Sequence, residues 1–114
     1  MMSNEPPLKP APLHVLLALA HGDLHGYALL RAVHEQSGGR VTLRTASLYR
    51  HVADLMDSGL VVSIEPSPSD DPRRSAYYRI TARGRAALEG QRVYLTDVVA
   101  ALNALMPAMR RGRG

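Results

Sequence analysis

The spacing of apolar positions changes character along this chain, and each change marks an element. Leu13 to Ala20 is apolar almost all round, so the helix predicted from Pro12 to about His21 must be covered on more than one side. Gly22 is its stop. A second helix is predicted from about Gly26 to Ser37, with Tyr27, Leu30 and Val33 as the buried stripe, Arg31 and Glu35 facing water, and Gly38-Gly39 ending it. Val41-Thr42-Leu43 reads as a short strand. Leu48, Val52, Leu55 and Met56 then fall at i, i+4, i+7 and i+8, one stripe of a third helix that Gly59 stops. Arg50, Asp54 and Asp57 lie across from that stripe.

From Leu60 the period shortens. Leu60 to Glu65 and Ala76 to Ile80 read as strands, and the segment between them carries Pro66, Pro68 and Pro72 with serine and aspartate turn formers. Strand, polar loop and strand make a β-hairpin with a long tip. Thr81 can cap a last helix that runs to about Met106, where Pro107 is expected to stop it. Along it Leu88, Leu95, Leu102 and Met109 repeat every seven residues, with Val98 and Leu105 between them and Gln91 as the one polar member.

The fold class is therefore mainly α with a small β-hairpin: a winged helix-turn-helix plus a long C-terminal dimerisation helix. The expected organisation is a flexible N-terminal arm at 1–11, with Pro6, Pro7 and Pro10 opposing helix, and a winged helix domain at 12–81. A dimerisation helix at 82–106 and a basic disordered tail at 107–114 follow. Leu88, Leu95, Val98, Leu102 and Leu105 are the candidate homodimer seam, since so long a stripe has no room to be buried on so small a domain. The other arrangement is a helix folded back on its own core.

Composition narrows the function. A chain of 114 residues is one small domain. Five tyrosines are its only large aromatics, so the core is built from Leu, Val, Ala and Met. With no cysteine there is no disulfide, thiolate metal site or cysteine nucleophile. No stretch has the form of a signal peptide or the length to span a bilayer, which makes a cytoplasmic protein without a membrane partner the expectation. The net charge is +4, but Arg110, Arg111 and Arg113 supply three of it, so any nucleic-acid site must be a local patch.

That patch has candidates. Arg44, Thr45, Ser47, Tyr49 and Arg50 crowd the first turns of the third helix, as in a helix whose N-terminal residues meet base edges in the major groove. Arginine pairs bidentately with guanine, and hydroxyls bond bases or phosphates. Tyr49 either joins them or closes the edge of the core. Arg73 and Arg74 on the hairpin tip suit phosphate or minor-groove contact, or else pair with Asp70 and Asp71. Asp54 and Asp57 are expected to point away from DNA. Ser47, His51 and Asp54 have the spacing of a catalytic triad, but one exposed helix offers neither pocket nor oxyanion donors, so no enzyme activity is expected. His21, Asp23 and His25 form a polar turn without a fourth ligand, and neither metal nor cofactor is expected.

The residues resemble the PadR-type transcriptional regulators. The resemblance rests on His25-Gly26-Tyr27-Ala28-Leu29, on Ala46-Ser47-Leu48-Tyr49-Arg50 followed by Leu55 and Gly59-Leu60-Val61, and on Arg73-Arg74 and Tyr78-Arg79-Ile80-Thr81-Ala82-Arg83-Gly84-Arg85. It covers residues 12–106 and implies a dimeric bacterial repressor that binds a pseudo-palindromic operator in double-stranded DNA. It also implies, in some members, release by an apolar or aromatic small-molecule effector. Two departures stand out: the wing is longer and more acidic at Asp70-Asp71, and one helix replaces a multi-helix C-terminal region. A winged helix that serves as a protein–protein adaptor is the alternative.

Overall fold

A computed structural model describes residues 7–65 and 77–111, with side chains through 107 in the last helix. The start of the expected arm and the end of the expected basic tail lie outside the described residues. Four helices and a small sheet follow one another as α1 (Pro10–Leu19), β1 (Leu24–His25), α2 (Gly26–Gln36), α3 (Thr45–Asp57), β2 (Val61–Ile64), β3 (Tyr77–Ile80) and α4 (Ala82–Arg111). The strands run antiparallel in the order β1-β3-β2, with Val61 opposite Ile80, Ile64 opposite Tyr77, and Leu24 opposite Tyr78. This is a winged helix with a long helical extension.

α1 begins at Pro10, two residues before the sequence places it. The first helical N–H groups have no intrahelical acceptor, so Pro10 and Pro12 both fit in the first turn without losing a bond. Val15, Leu16, Ala18 and Leu19 are buried, as an all-round apolar helix requires. They meet Leu29 and Val33 of α2, Leu48, Val52 and Leu55 of α3, and Leu60, Val61, Ile80 and Ala87 in one core.

Two stripe positions differ from the predicted pattern. Leu29 takes the core position expected of Tyr27, which is 67% exposed; at 100° per residue Tyr27 lies about 160° round the helix from Leu29. Met56 is 39% exposed, because it sits about 70° off the line through Leu48, Val52 and Leu55.

Val41 to Leu43 is not a strand. Ser37, 5% exposed, organises this turn instead: its hydroxyl accepts the Val41 N–H at 2.9 Å and lies 3.1 and 3.2 Å from the carbonyls of His34 and Val41. Gly38 and Gly39, at φ +65 and +80, take the left-handed turn that ends α2. Ser37→Ala strands the Val41 amide and is expected to cost about 1–3 kcal/mol. Thermal unfolding checks this at roughly 4–8 °C per kcal/mol. An unchanged Tm would mean that water replaces the hydroxyl.

The third strand is instead β1, whose two residues are too short for any periodicity to reveal. Asp23 beside it grips Arg79 of β3, with Nη2 to Oδ2 at 2.7 Å and Nε to Oδ1 at 3.1 Å. The arginine's hydrogen bonds hold the Asp23 carboxyl below its ordinary range. The pair's small contribution is therefore present at neutral pH and is lost as pH falls through the depressed value.

α3 ends in a Schellman turn. Gly59, at φ +77, donates to the Met56 carbonyl and Leu60 donates to the Leu55 carbonyl. α4 starts against this turn. Thr81 caps it by accepting the Gly84 N–H at 3.0 Å, as predicted, while its own hydroxyl donates to the Gly59 carbonyl at 2.8 Å. Gly84 has no room for a side chain, since an added Cβ would run into the Leu60 carbonyl and come within 2.6 Å of Ile80 Cγ1.

α4 continues through Pro107 rather than stopping there. The carbonyl that loses its donor belongs to Asn103, which is exposed, so water can serve it. Ala87 and Gln91 are buried, but no residue from 92 to 107 is. The molecule is accordingly 63 Å long, with a radius of gyration of 17.2 Å. A compact chain of this length would have about 13 Å.

Candidate nucleic-acid interface

The outward line of α3 is set by its buried one. With Leu48, Val52 and Leu55 inward, Ala46, Arg50, Ala53 and Asp57 fall on the opposite side, at i, i+4, i+7 and i+11, and all are exposed. Two alanines flanking one arginine leave a shallow ridge from which a single long side chain stands out. Asp54 lies on a flank, away from this line. Asp57 lies on the line itself, but about 10 Å further toward the C-terminus than Arg50.

Arg44 holds the N-cap position in an extended conformation and makes no side-chain cap. Arg44, Thr45 and Arg50 are exposed and Ser47 is half-buried. Among the described residues neither arginine side chain has a hydrogen-bond or ion-pair partner. Tyr49 turns back instead. It is 38% exposed, and its ring and hydroxyl sit where a side chain on Gly26 would be, with Cζ 3.0 Å from that position. This gives the glycine in His25-Gly26-Tyr27 a role: with a Cβ at position 26, Tyr49 of α3 could not keep this place. Burial, and then the nearby Tyr49, push the Tyr78 phenol above its ordinary range, so it stays neutral. These contacts between segments distant in the chain had no signal in periodicity.

The wing strands stand beside α3, but Arg73 and Arg74 lie outside the described residues. The other constellations are spoken for. Ser47, His51 and Asp54 share a flank of α3, and no side-chain hydrogen bond joins them among the described residues. Asp23 is held by Arg79, and the Nδ1 of His25 faces the Ala28 N–H at the start of α2. No group of three metal-ligating side chains occurs among the described residues, and no helix there is long and apolar enough to cross a membrane.

On α4, Leu88 packs against its own core. Beyond it Leu95, Leu102 and Leu105 are 40%, 48% and 54% exposed, Val98 is half-buried, and Tyr94, Val99 and Met106 are exposed as well. Together they form an arc about 140° wide, broader than the narrow seam of a two-stranded coiled coil.

The fold is that of winged-helix transcription regulators. The sequence model of the PadR-like transcriptional regulators matches residues 15–90, and the chain belongs to that family. This is a family of regulators rather than enzymes. The comparison with curated protein sequences gives no match. A PadR family transcription regulator of Clostridium difficile has a similar structure, with TM-score 0.74 and 16% identity over 86% of this chain and 99% of that one. A PadR-like regulator of Bacillus cereus gives 0.70 and 21%, over 83% and 89%. Bacillus subtilis PadR in complex with operator DNA gives 0.61 and 20%, over 71% of this chain and 46% of that one.

Proposed function

We propose that this chain is a sequence-specific DNA-binding homodimer that represses transcription from a pseudo-palindromic operator. The observation that carries this reading is the outward line of α3, where an unpaired Arg50 stands between two alanines on a helix anchored by its opposite face. Arg50 reads a base edge, Arg44, Thr45 and Ser47 hold the groove, and Tyr49, turned onto Gly26, braces the start of α3 beside them. The dimer uses Leu95, Val98, Leu102 and Leu105 of α4, continued from Leu88 and joined by α1, whose Leu17 is exposed. The bound operator of Bacillus subtilis PadR supports the reading by likeness of fold. An apolar or aromatic effector would release the repressor. A groove of about 280 Å³ between Tyr27, Leu30 and His34 of α2 and Thr42-Leu43 has room for one beside the start of α3. Binding-site selection from a random DNA library tests the proposal: an inverted repeat supports it, and no enriched site overturns it.

The wing contributes through Arg73 and Arg74. Replacing either by Ala is expected to weaken binding to all sequences alike and to flatten the log–log salt dependence, by about one unit for each phosphate no longer held. Titration at several salt concentrations reads this directly. Unchanged slopes would leave both arginines paired with Asp70 and Asp71.

A further inference from the structure

Gln91 is 6% exposed, a polar residue in the apolar stripe of α4. Its Oε1 accepts the backbone N–H of Leu8 at 3.0 Å, across 83 positions of sequence. Leu8 is itself half-buried and packs against the core. The segment before α1 is thus tied across the base of α4. This tie lies at the last buried position of α4 among the described residues, and no residue from 92 to 107 is buried. Among the described residues, every buried position of α4 sits at or before residue 91.

A helix fixed only at its base is a lever. Leu105 lies about 21 Å beyond Gln91 along the axis, at 1.5 Å per residue. A swing of about 10° at the base therefore moves that end by about 4 Å, close to one base-pair step of about 3.4 Å. In a dimer joined through α4, that angle sets how far apart the two α3 helices stand.

We propose that Gln91 is a positioning residue: by strapping the Leu8 backbone to α4 it fixes the angle of the dimer helix, and hence the half-site spacing the protein accepts. The functional part rests on the dimeric DNA-binding reading above, whereas the strap itself does not. An ordinary packing role would call for an apolar side chain at 91. An amide that spends its oxygen on a distant backbone N–H instead fixes one particular placement of two segments.

Two substitutions remove the bond from opposite ends. Gln91→Leu keeps the volume and loses the acceptor; Leu8→Pro removes the N–H and leaves α4 untouched. The chain has no cysteine, so spin labels can be placed at Glu35→Cys on α2 and Ala104→Cys on the far side of α4. Diluting labelled with unlabelled protein gives the distance within one chain. One narrow distance is expected in the unsubstituted background, and a shift or broadening by about 3 Å or more in either variant. Site selection with both variants should then accept spacings about one base pair either side, with the half-site bases unchanged. Unchanged distances in both variants overturn the strap, and a changed distance with an unchanged spacing preference overturns the positioning role. If the unsubstituted protein selects no DNA, the DNA-binding reading fails separately and the distances alone decide the strap.

Discussion

Arg50→Ala is expected to leave the domain folded and cost about 1–3 kcal/mol of DNA affinity per half-site, with preference relaxed at one symmetric base pair. The fold is spared because Arg50 projects from the side of α3 opposite Leu48, Val52 and Leu55 and has no partner among the described residues. The loss is base-specific because a bidentate guanidinium distinguishes guanine from the other bases. Arg50→Lys should recover little, since an ammonium cannot make the paired contact. If two α3 helices enter successive major grooves, the half-sites lie about 34 Å apart. The measurement is binding-site selection with the unsubstituted chain and the variant side by side. An identical preferred site for both would take Arg50 out of recognition and favour the protein–protein adaptor.

How much of the fold and site was legible in the sequence depended on the range of the interaction. Leu48, Val52 and Leu55 could be read because a helix places i, i+4 and i+7 on one side whatever surrounds it. The caps at Thr81 and Gly59 could be read because their chemistry is local. Tyr27 and Met56 misled because each lies at the edge of an apolar run, and the neighbouring elements decide which edge is covered. Val41 to Leu43 has β-branched character, yet the Ser37 hydroxyl supplies its backbone partner, and sequence spacing does not record that competition. β1 exists because Tyr77 and Tyr78 lie opposite it. The site showed the same division: Arg44 and Arg50 were visible as charges on one helix, whereas Tyr49 against Gly26 and Asp23 on Arg79 join parts of the chain that only the fold brings together.

Leu102→Asp is expected to abolish the dimer while leaving each chain folded. Leu102 is 48% exposed in the single chain, well beyond the last buried position of α4, so the winged core does not depend on it. In a paired seam the same position is covered on both chains. Two opposed carboxylates there would cost several kcal/mol per chain if they stayed buried and ionised. Sedimentation should show a monomer at micromolar concentration with circular dichroism close to that of the parent, and operator binding should fall with the loss of the second half-site. A parent chain that sediments as a monomer, or a variant that remains dimeric, would refute the α4 seam.

The junction between α3 and α4 carries a consequence for local opening. The Gly59 and Leu60 carbonyls that leave the end of α3 are the acceptors for the Thr81 hydroxyl and the Thr81 N–H. Gly84 then closes over the Leu60 carbonyl. Neither helix can fray at this joint without releasing the other. The amides around Gly59 and those around Gly84 thus belong to one cooperative unit, protected or exchanging together. The N-terminal turn of α3, where Arg44 and Thr45 stand exposed, has no such partner among the described helix ends. The helix that carries the candidate base contacts is thus tied to α4 by hydrogen bonds at its far end, and held at its near end by the packing of Leu48 and Tyr49.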